Sequence, residues 1–218
     1  MDTRETGTVG VIIAGGLARR MGGGDKGLRR LAGRPLIACV AAAVRPQVDR
    51  LGVNMSFPPD DDEHRAEVVA AVGADAVFID DAVPGRAGPL AGILAGLRWA
   101  AEARWLLTVP VDTPFLPRDL AARLVAAGEA AGAEVACAVS WGRLQPLVAV
   151  WRPDLAPAVA AYLAANDRKL ELFLDRRRVT RVEFTAEPVD PFFNVNSPPD
   201  LEQAERLRDA GLVPGLVP

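Results

Sequence analysis

Two segments of this chain carry residue types suited to a polyphosphate. Ala14-Gly-Gly-Leu-Ala-Arg-Arg-Met-Gly-Gly-Gly-Asp-Lys-Gly27 places six glycines within thirteen residues, beside two arginines and Lys26. Glycines let consecutive backbone N–H groups close on an anion, and the cations neutralise charge that those dipoles alone cannot. Only Lys26 and Lys169 are lysine among 25 Lys+Arg residues. An ammonium is a compact charge that sits between phosphate oxygens, where a planar guanidinium needs a wider approach. The second segment is Pro110-Val-Asp-Thr-Pro114. A carboxylate beside a triphosphate is unfavourable unless a cation lies between them, and Mg2+ takes one or two protein oxygens plus phosphate oxygens and water. Asp112 is the expected metal ligand; it stands too far upstream of Pro117 to cap the following helix.

These residues need elements that bring them to one rim. Apolar β-rich runs alternate with helical patterns, which predicts an α/β fold: a three-layer α/β/α, Rossmann-like arrangement with a mostly parallel sheet and one antiparallel strand. Strands are expected at residues 9–13, 51–54, 76–79, 105–109, 134–139, 144–151 and 179–184. Little chain separates the fifth and sixth of these, so the sixth is the antiparallel one. Helices are expected at 35–44, 63–72, 89–100, 117–128, 153–165 and 170–176, with a last one striped by Leu201, Ala204 and Leu207. Ligands of such sheets collect beyond the carboxyl ends of parallel strands. The glycine loop, Asn54, Asp80 with Asp81, and Asp112 all follow strands. Asn54 and the two aspartates read equally as turn formers or as ligand contacts.

Two familiar phosphate loops match poorly, which leaves a nicotinamide-dependent reductase only a remote alternative. Gly22, Gly24 and Gly27 match G-x-G-x-x-G, but eight residues separate Ile13 from Gly22, where a dinucleotide fold needs the first glycine directly after the strand. A Walker A loop is ruled out because Asp25 precedes Lys26 and glycine follows it.

The 218 residues suit one domain spanning 1–218, with frayed ends at 1–8 and 211–218 and a mobile loop at 57–62. No apolar run approaches the roughly 20 residues of a membrane span, and no secretory pattern opens the chain, so a cytoplasmic protein is expected. Cys39 and Cys137 read as buried thiols and, with His64 the only histidine, do not make a zinc site. A net charge of −3 and the lack of a basic, aromatic-rich cluster argue against nucleic acid as a partner.

Beyond these readings, the chain resembles the molybdenum cofactor guanylyltransferases. The likeness rests on Ile13-Ala-Gly-Gly16, Arg20-Met-Gly-Gly-Gly-Asp-Lys-Gly27, Gly33-Arg-Pro-Leu36 and Gly88-Pro-Leu-Ala-Gly-Ile93. It continues through Val109-Pro-Val-Asp-Thr-Pro-Phe-Leu-Pro117, Gln145-Pro-Leu-Val148 and Phe193-Asn-Val-Asn-Ser-Pro198, in the same order as in that family. The resemblance implies transfer of GMP from GTP to molybdopterin or its molybdenum-loaded form, with release of pyrophosphate and with Mg2+ as cofactor. It implies that Ile13, Ala14, Gly15 and Gly16 border the nucleotide and that Lys26, with Arg20, meets the phosphates. Asn54 and Asp81 would contact GTP, Asp112 the metal, and Gln145, Asn194 and Asn196 the acceptor side. Cofactor-delivering proteins and molybdoenzyme chaperones are the implied partners. A cytidylyltransferase acting on the same pterin, a sugar-1-phosphate nucleotidyltransferase and a non-catalytic nucleotide-binding module remain as alternatives.

Overall fold

A computed structural model describes residues 7–15, 25–57, 61–82 and 88–213. Gly16, Arg20 and most of the glycine loop lie outside the described residues. Among those described, the main sheet has seven strands: β1 (Thr8–Ile13), β4 (Arg50–Asn54), β5 (Val77–Ile79), β6 (Trp105–Pro110), β7 (Val135–Ser140), β8 (Arg143–Trp151) and β9 (Val179–Glu183). A two-stranded hairpin of β2 (Arg30–Leu31) and β3 (Arg34–Pro35) stands apart. The sheet order is β5-β4-β1-β6-β8-β7-β9, and β8 alone runs antiparallel to both neighbours. The expected mixed sheet is therefore present, with its reversed strand where the short connection placed it.

Alternation along the strands divides the core into two layers. Ile12, Val53, Leu107, Val109, Ala138 and Val150 face α1 (Leu36–Val44), α2 (Asp62–Val72) and α4 (Leu120–Ala130). Val9, Val11, Leu106, Cys137 and Trp151 face α3 (Pro89–Trp99), α5 (Ala156–Ala164) and α6 (Leu170–Leu174). A smaller cluster of Leu31, Leu36, Val195 and Ala204 sits under α7 (Pro198–Asp209), which closes over the β2–β3 hairpin. Ser197 starts α7 by accepting the Asp200 N–H, with proline at the first helical positions.

Several boundaries differ from the sequence expectation. Pro35 belongs to β3 and precedes α1, because the hairpin turn at Ala32 and Gly33, both with positive φ, folds the chain back first. α4 begins at Leu120 rather than at residue 117, after Asp119. The helix expected over 153–165 opens as a 3-10 turn, Pro153–Leu155, before α5. Thr8, expected in a frayed end, opens β1, and Val213 is buried. Of the loop expected over 57–62, Phe57 packs edge-on against Phe78 and Asp61 caps α2, while 58–60 lie outside the described residues.

Both cysteines are free and buried. Burial pushes the Cys137 thiol up to about 12, outweighing the opposing pull of Arg181, and raises Cys39 as well.

The two halves of the sheet are joined at β6 and β8 by a buried polar contact. Thr108, fully buried, accepts the Trp151 indole N–H at 2.8 Å and donates to the Leu147 carbonyl at 3.0 Å. Thr108→Val keeps the shape but strands the indole donor without a partner. It is expected to cost about 1–3 kcal/mol, seen as a lowered midpoint in thermal unfolding followed by circular dichroism.

Candidate active site

The carboxyl ends of β1, β4, β5 and β6 hold the site, and hydrogen bonds extend their ladders one residue beyond the strands. Ala14 donates to the Asn54 carbonyl at 2.9 Å, Met55 to Ile79 at 3.2 Å, and Val111 to Ile13 at 3.1 Å. Ile13, Ala14, Asn54 and Asp112 thus lie along one rim. Gly15 is exposed beyond it, with open space where a side chain would point.

Asn54 is buried, and its amide donates to the Ile79 carbonyl and to Asp81 Oδ1, each at 3.1 Å. Asp81, not Asp80, is therefore tied to the rim. The close approach of α3 demands a glycine there. A Cβ at Gly92 would stand 2.2 Å from Asn54 Oδ1. The helix starts at Gly88, whose φ of 73° lies in the left-handed region, with Pro89 in its first turn.

Lys26 crosses to the other part of the rim, where its ammonium pairs with Asp112 Oδ2 and donates to Asn196 Oδ1 at 2.6 Å. The Lys26 and Asp112 side chains are only 12% and 15% exposed. The segment carrying Asn194 and Asn196 is anchored by the Val195 N–H on the Asp112 carbonyl at 2.9 Å. The Thr113 hydroxyl, fully buried, lies 3.2 Å from Asn194 Oδ1 and 3.4 Å from Asp112 Oδ1, and donates to one of them at a time. Asp200 accepts the Asn196 N–H at 2.9 Å. Its carboxyl is held below the usual range: a desolvation cost opposes this, but hydrogen bonds from Ser197 and from the Asn196 and Ser197 backbone, and the charge of Lys26, prevail.

On the far side of Asp112 opens a cavity of about 270 Å³, lined by Asp112, Thr113, Gln145, Leu147, Leu170 and Asn194 among others. Gln145 donates to Ser140 Oγ at 3.1 Å, which fixes the amide on the cavity wall. The three residues expected on the acceptor side therefore separate: Gln145 and Asn194 line the cavity, whereas Asn196 stands with Lys26. A larger cavity, about 430 Å³, lies at the opposite end of the sheet around Arg104, Arg152 and Arg178. Those arginines lie within 4.0 Å of Glu129, Asp154 and Glu134, while a fourth, Arg177, lies over the Phe173 ring.

A divalent cation fits the Lys26 side of this rim. Two hard oxygens, from Asp112 and Asn196, already converge on one positive charge. Among the described residues no group of three or more His, Cys, Asp or Glu gathers that could cage a metal by protein ligands alone. The remaining ligands would come from substrate oxygens and water, as is usual for Mg2+.

Three residues of the site were not singled out by the sequence. Thr113 faces the Asn194 and Asp112 oxygens, Asp200 holds the Asn196 backbone N–H, and His64 touches Asp25 beside Lys26. Ser197-Pro-Pro-Asp200, a capping pattern, was the available signal for Asp200. Nothing local marks His64.

No helix among the described residues is long and apolar enough to cross a membrane. The sequence model for the MobA-like NTP transferase domain matches residues 10–182. A molybdenum cofactor guanylyltransferase of Rhodopseudomonas palustris (strain HaA2) is 45% identical over 202 residues, covering 90% of each chain. One from Rhizobium meliloti (strain 1021) is 42% identical, covering 89% of each. Among solved structures, molybdopterin-guanine dinucleotide biosynthesis protein A of Archaeoglobus fulgidus superposes with a TM-score of 0.74 at 26% identity, over 93% of this chain and 99% of that one. A 4-diphosphocytidyl-2C-methyl-D-erythritol synthase of Anaerococcus prevotii shares the fold, with a TM-score of 0.69 at 14% identity over 94% of this chain and 96% of that one. Family model and relatives agree, and the chain belongs to the molybdenum cofactor guanylyltransferases, within the MobA-like NTP transferases.

Proposed function

We propose that this protein, in the cytoplasm, transfers GMP from GTP to the terminal phosphate of molybdopterin or its molybdenum-loaded form, releasing pyrophosphate. The observation that carries this reading is the position of Asp112, with Lys26 and Asn196 on one side and the Gln145–Asn194 cavity on the other. A donor nucleotide on the Lys26 side and an acceptor in the cavity would meet at that carboxylate.

In the reaction an oxygen of the acceptor phosphate forms a bond to the α-phosphorus, and the bond from that phosphorus to the α–β bridging oxygen breaks. Pyrophosphate leaves with the electron pair. The acceptor phosphate is already ionised near neutral pH, so no residue is needed as a strong base. Alignment and charge neutralisation are what the chain must supply. The Lys26 ammonium takes up the charge that builds on the departing oxygens. The backbone N–H of Gly15, just beyond Ala14, and the tied pair Asn54–Asp81 orient the nucleoside end. Asp112, with the amide oxygen of Asn196, would hold Mg2+. When bound, this ion neutralises phosphate charge and acts as a Lewis acid. Gln145 and Asn194 present polar groups to the acceptor.

Incubation with Mg2+, molybdopterin and each of the four ribonucleoside triphosphates, with pyrophosphate release measured, tests this function. Release with GTP alone is expected; release with CTP alone would make the protein the cytidylyl member, and none with any nucleotide would remove transfer altogether. Lys26→Ala is expected to lower kcat/KM by about a hundredfold or more. Removing the ammonium also leaves the mostly buried Asp112 without its partner, at a folding cost of about 3 kcal/mol, so the rate is measured on protein that circular dichroism shows to be folded. An unchanged rate of pyrophosphate release would take Lys26 out of the mechanism. Gly92→Ala improves helix propensity by about 1 kcal/mol yet drives the Asn54 amide from its place. A several-fold rise in KM for GTP with the acceptor KM unmoved is expected in steady-state kinetics.

A further inference from the structure

His64, the chain's single histidine, stands in the first turn of α2, where its backbone N–H is received by the cap Asp61 at 3.1 Å. Its ring reaches out of the helix to the end of the glycine loop, with Nε2 2.8 Å from Asp25 Oδ2. Asp25 Oδ1 meanwhile accepts the Gly27 N–H at 2.7 Å. The carboxylate directly before Lys26 is thus held at both oxygens, one by a separate helix and one by its own loop. The His64 and Asp25 side chains are 21% and 10% exposed, so water competes weakly for the contact. An ionised carboxylate only accepts hydrogen bonds, so the imidazole donates here through Nε2–H.

The surroundings leave the ring little freedom. Phe57 meets it edge-on at 5.6 Å between ring centres, Phe78 backs Phe57 at 5.2 Å, and the Arg65 guanidinium covers Phe57 at 5.3 Å. On the other side of Lys26 the chain is equally confined. A Cβ at Gly27 would lie 3.1 Å from Val111 Cγ2 and 3.3 Å from Ile37 Cβ, so the backbone there rests against the end of β6 and against α1. Lys26 is therefore carried between two fixed points, Asp25 tied to α2 and Gly27 packed on the core.

We propose that His64 is a positioning residue for phosphate handling: by donating to Asp25 it fixes the backbone from which the Lys26 ammonium reaches the triphosphate. A lysine side chain has many rotamers, and holding its Cα in place reduces the disorder that must be removed when the phosphates arrive. This inference rests on the reading of Lys26 as a phosphate ligand.

The test compares His64→Leu, which fills the space without a donor, with His64→Gln, which keeps an N–H donor on a side chain able to reach Asp25. Affinity for a fluorescent GTP analogue in the presence of Mg2+ and steady-state pyrophosphate release are measured for both. His64→Leu is expected to lower kcat/KM for GTP about tenfold, weaken analogue binding several-fold and leave the acceptor KM within about twofold. His64→Gln is expected to recover at least about half of the wild-type value. In an Asp25→Ala background, His64→Leu should add no further loss, because its action runs through that carboxylate. A His64→Leu protein that unfolds earlier but binds the analogue and turns over normally would overturn the proposal, reducing the contact to a helix tie. Equal losses from His64→Leu with and without Asp25 would overturn it too. Wild-type pyrophosphate release, run alongside, separates the two questions. If it is absent the transfer reading fails, while the binding arm still decides whether His64 acts on a phosphate-holding Lys26.

Discussion

In the proposed function one constraint governs the rest: a carboxylate, Asp112, has to stand beside the triphosphate. At about 4 Å and an effective dielectric near 20, one phosphate charge facing a carboxylate costs about 4 kcal/mol, roughly a thousandfold in affinity. The Lys26 ammonium, paired with that carboxylate, offsets the cost, and it comes from a loop 86 positions earlier in the chain. Asn196 supplies the second oxygen around the same ammonium from 170 positions away. Three remote stretches of sequence must therefore arrive together within hydrogen-bonding distance, and most of the fold serves that meeting.

The parallel sheet accomplishes part of it. β1 and β6 are adjacent and in register, so the chain leaving Ile13 and the chain leaving Pro110 start from the same edge. The reversed strand β8 does a different service: running back from Arg143 to Trp151, it brings Gln145 to the same edge as Asp112 and thereby makes the cavity wall. The small cluster under α7 completes the enclosure, since Val195 is buried between Leu31, Leu36 and Ala204 while its N–H holds the Asp112 carbonyl. Packing at Val195 thus leaves the flanking Asn194 and Asn196 free to face opposite sides of the carboxylate.

The parts of this arrangement that follow from local pattern were legible in the sequence. Continuous apolar runs such as residues 105–109 disclosed the parallel strands, and reading the segments that follow them put Lys26 and Asp112, which the structure pairs, on one rim. What local pattern does not encode was missed. The β2–β3 hairpin is two residues a side, too short for any periodicity, and its turn at Ala32 lacks the usual Asn-Gly mark. The partition of Gln145 and Asn194 from Asn196 is a matter of which way side chains face along an irregular segment. Asn194 and Asn196 are spaced like residues of one strand face, yet one lines the cavity and the other meets Lys26. The contact between His64 and Asp25 spans 39 positions and joins a helix to a loop, so neither residue's neighbourhood betrays it.

The central claim is that Asp112 opposes the triphosphate by charge and is reconciled to it only by a cation. The affinity of Asp112→Asn for GTP, measured by calorimetry with and without Mg2+, tests that claim most directly. Without the ion the variant is expected to bind GTP more tightly than the wild type, since a repulsive charge is gone and Lys26 is released to the phosphates. On adding Mg2+ it should gain far less than the wild type does. Weaker binding than wild type in the absence of the ion, or a full gain on adding it, would contradict the account.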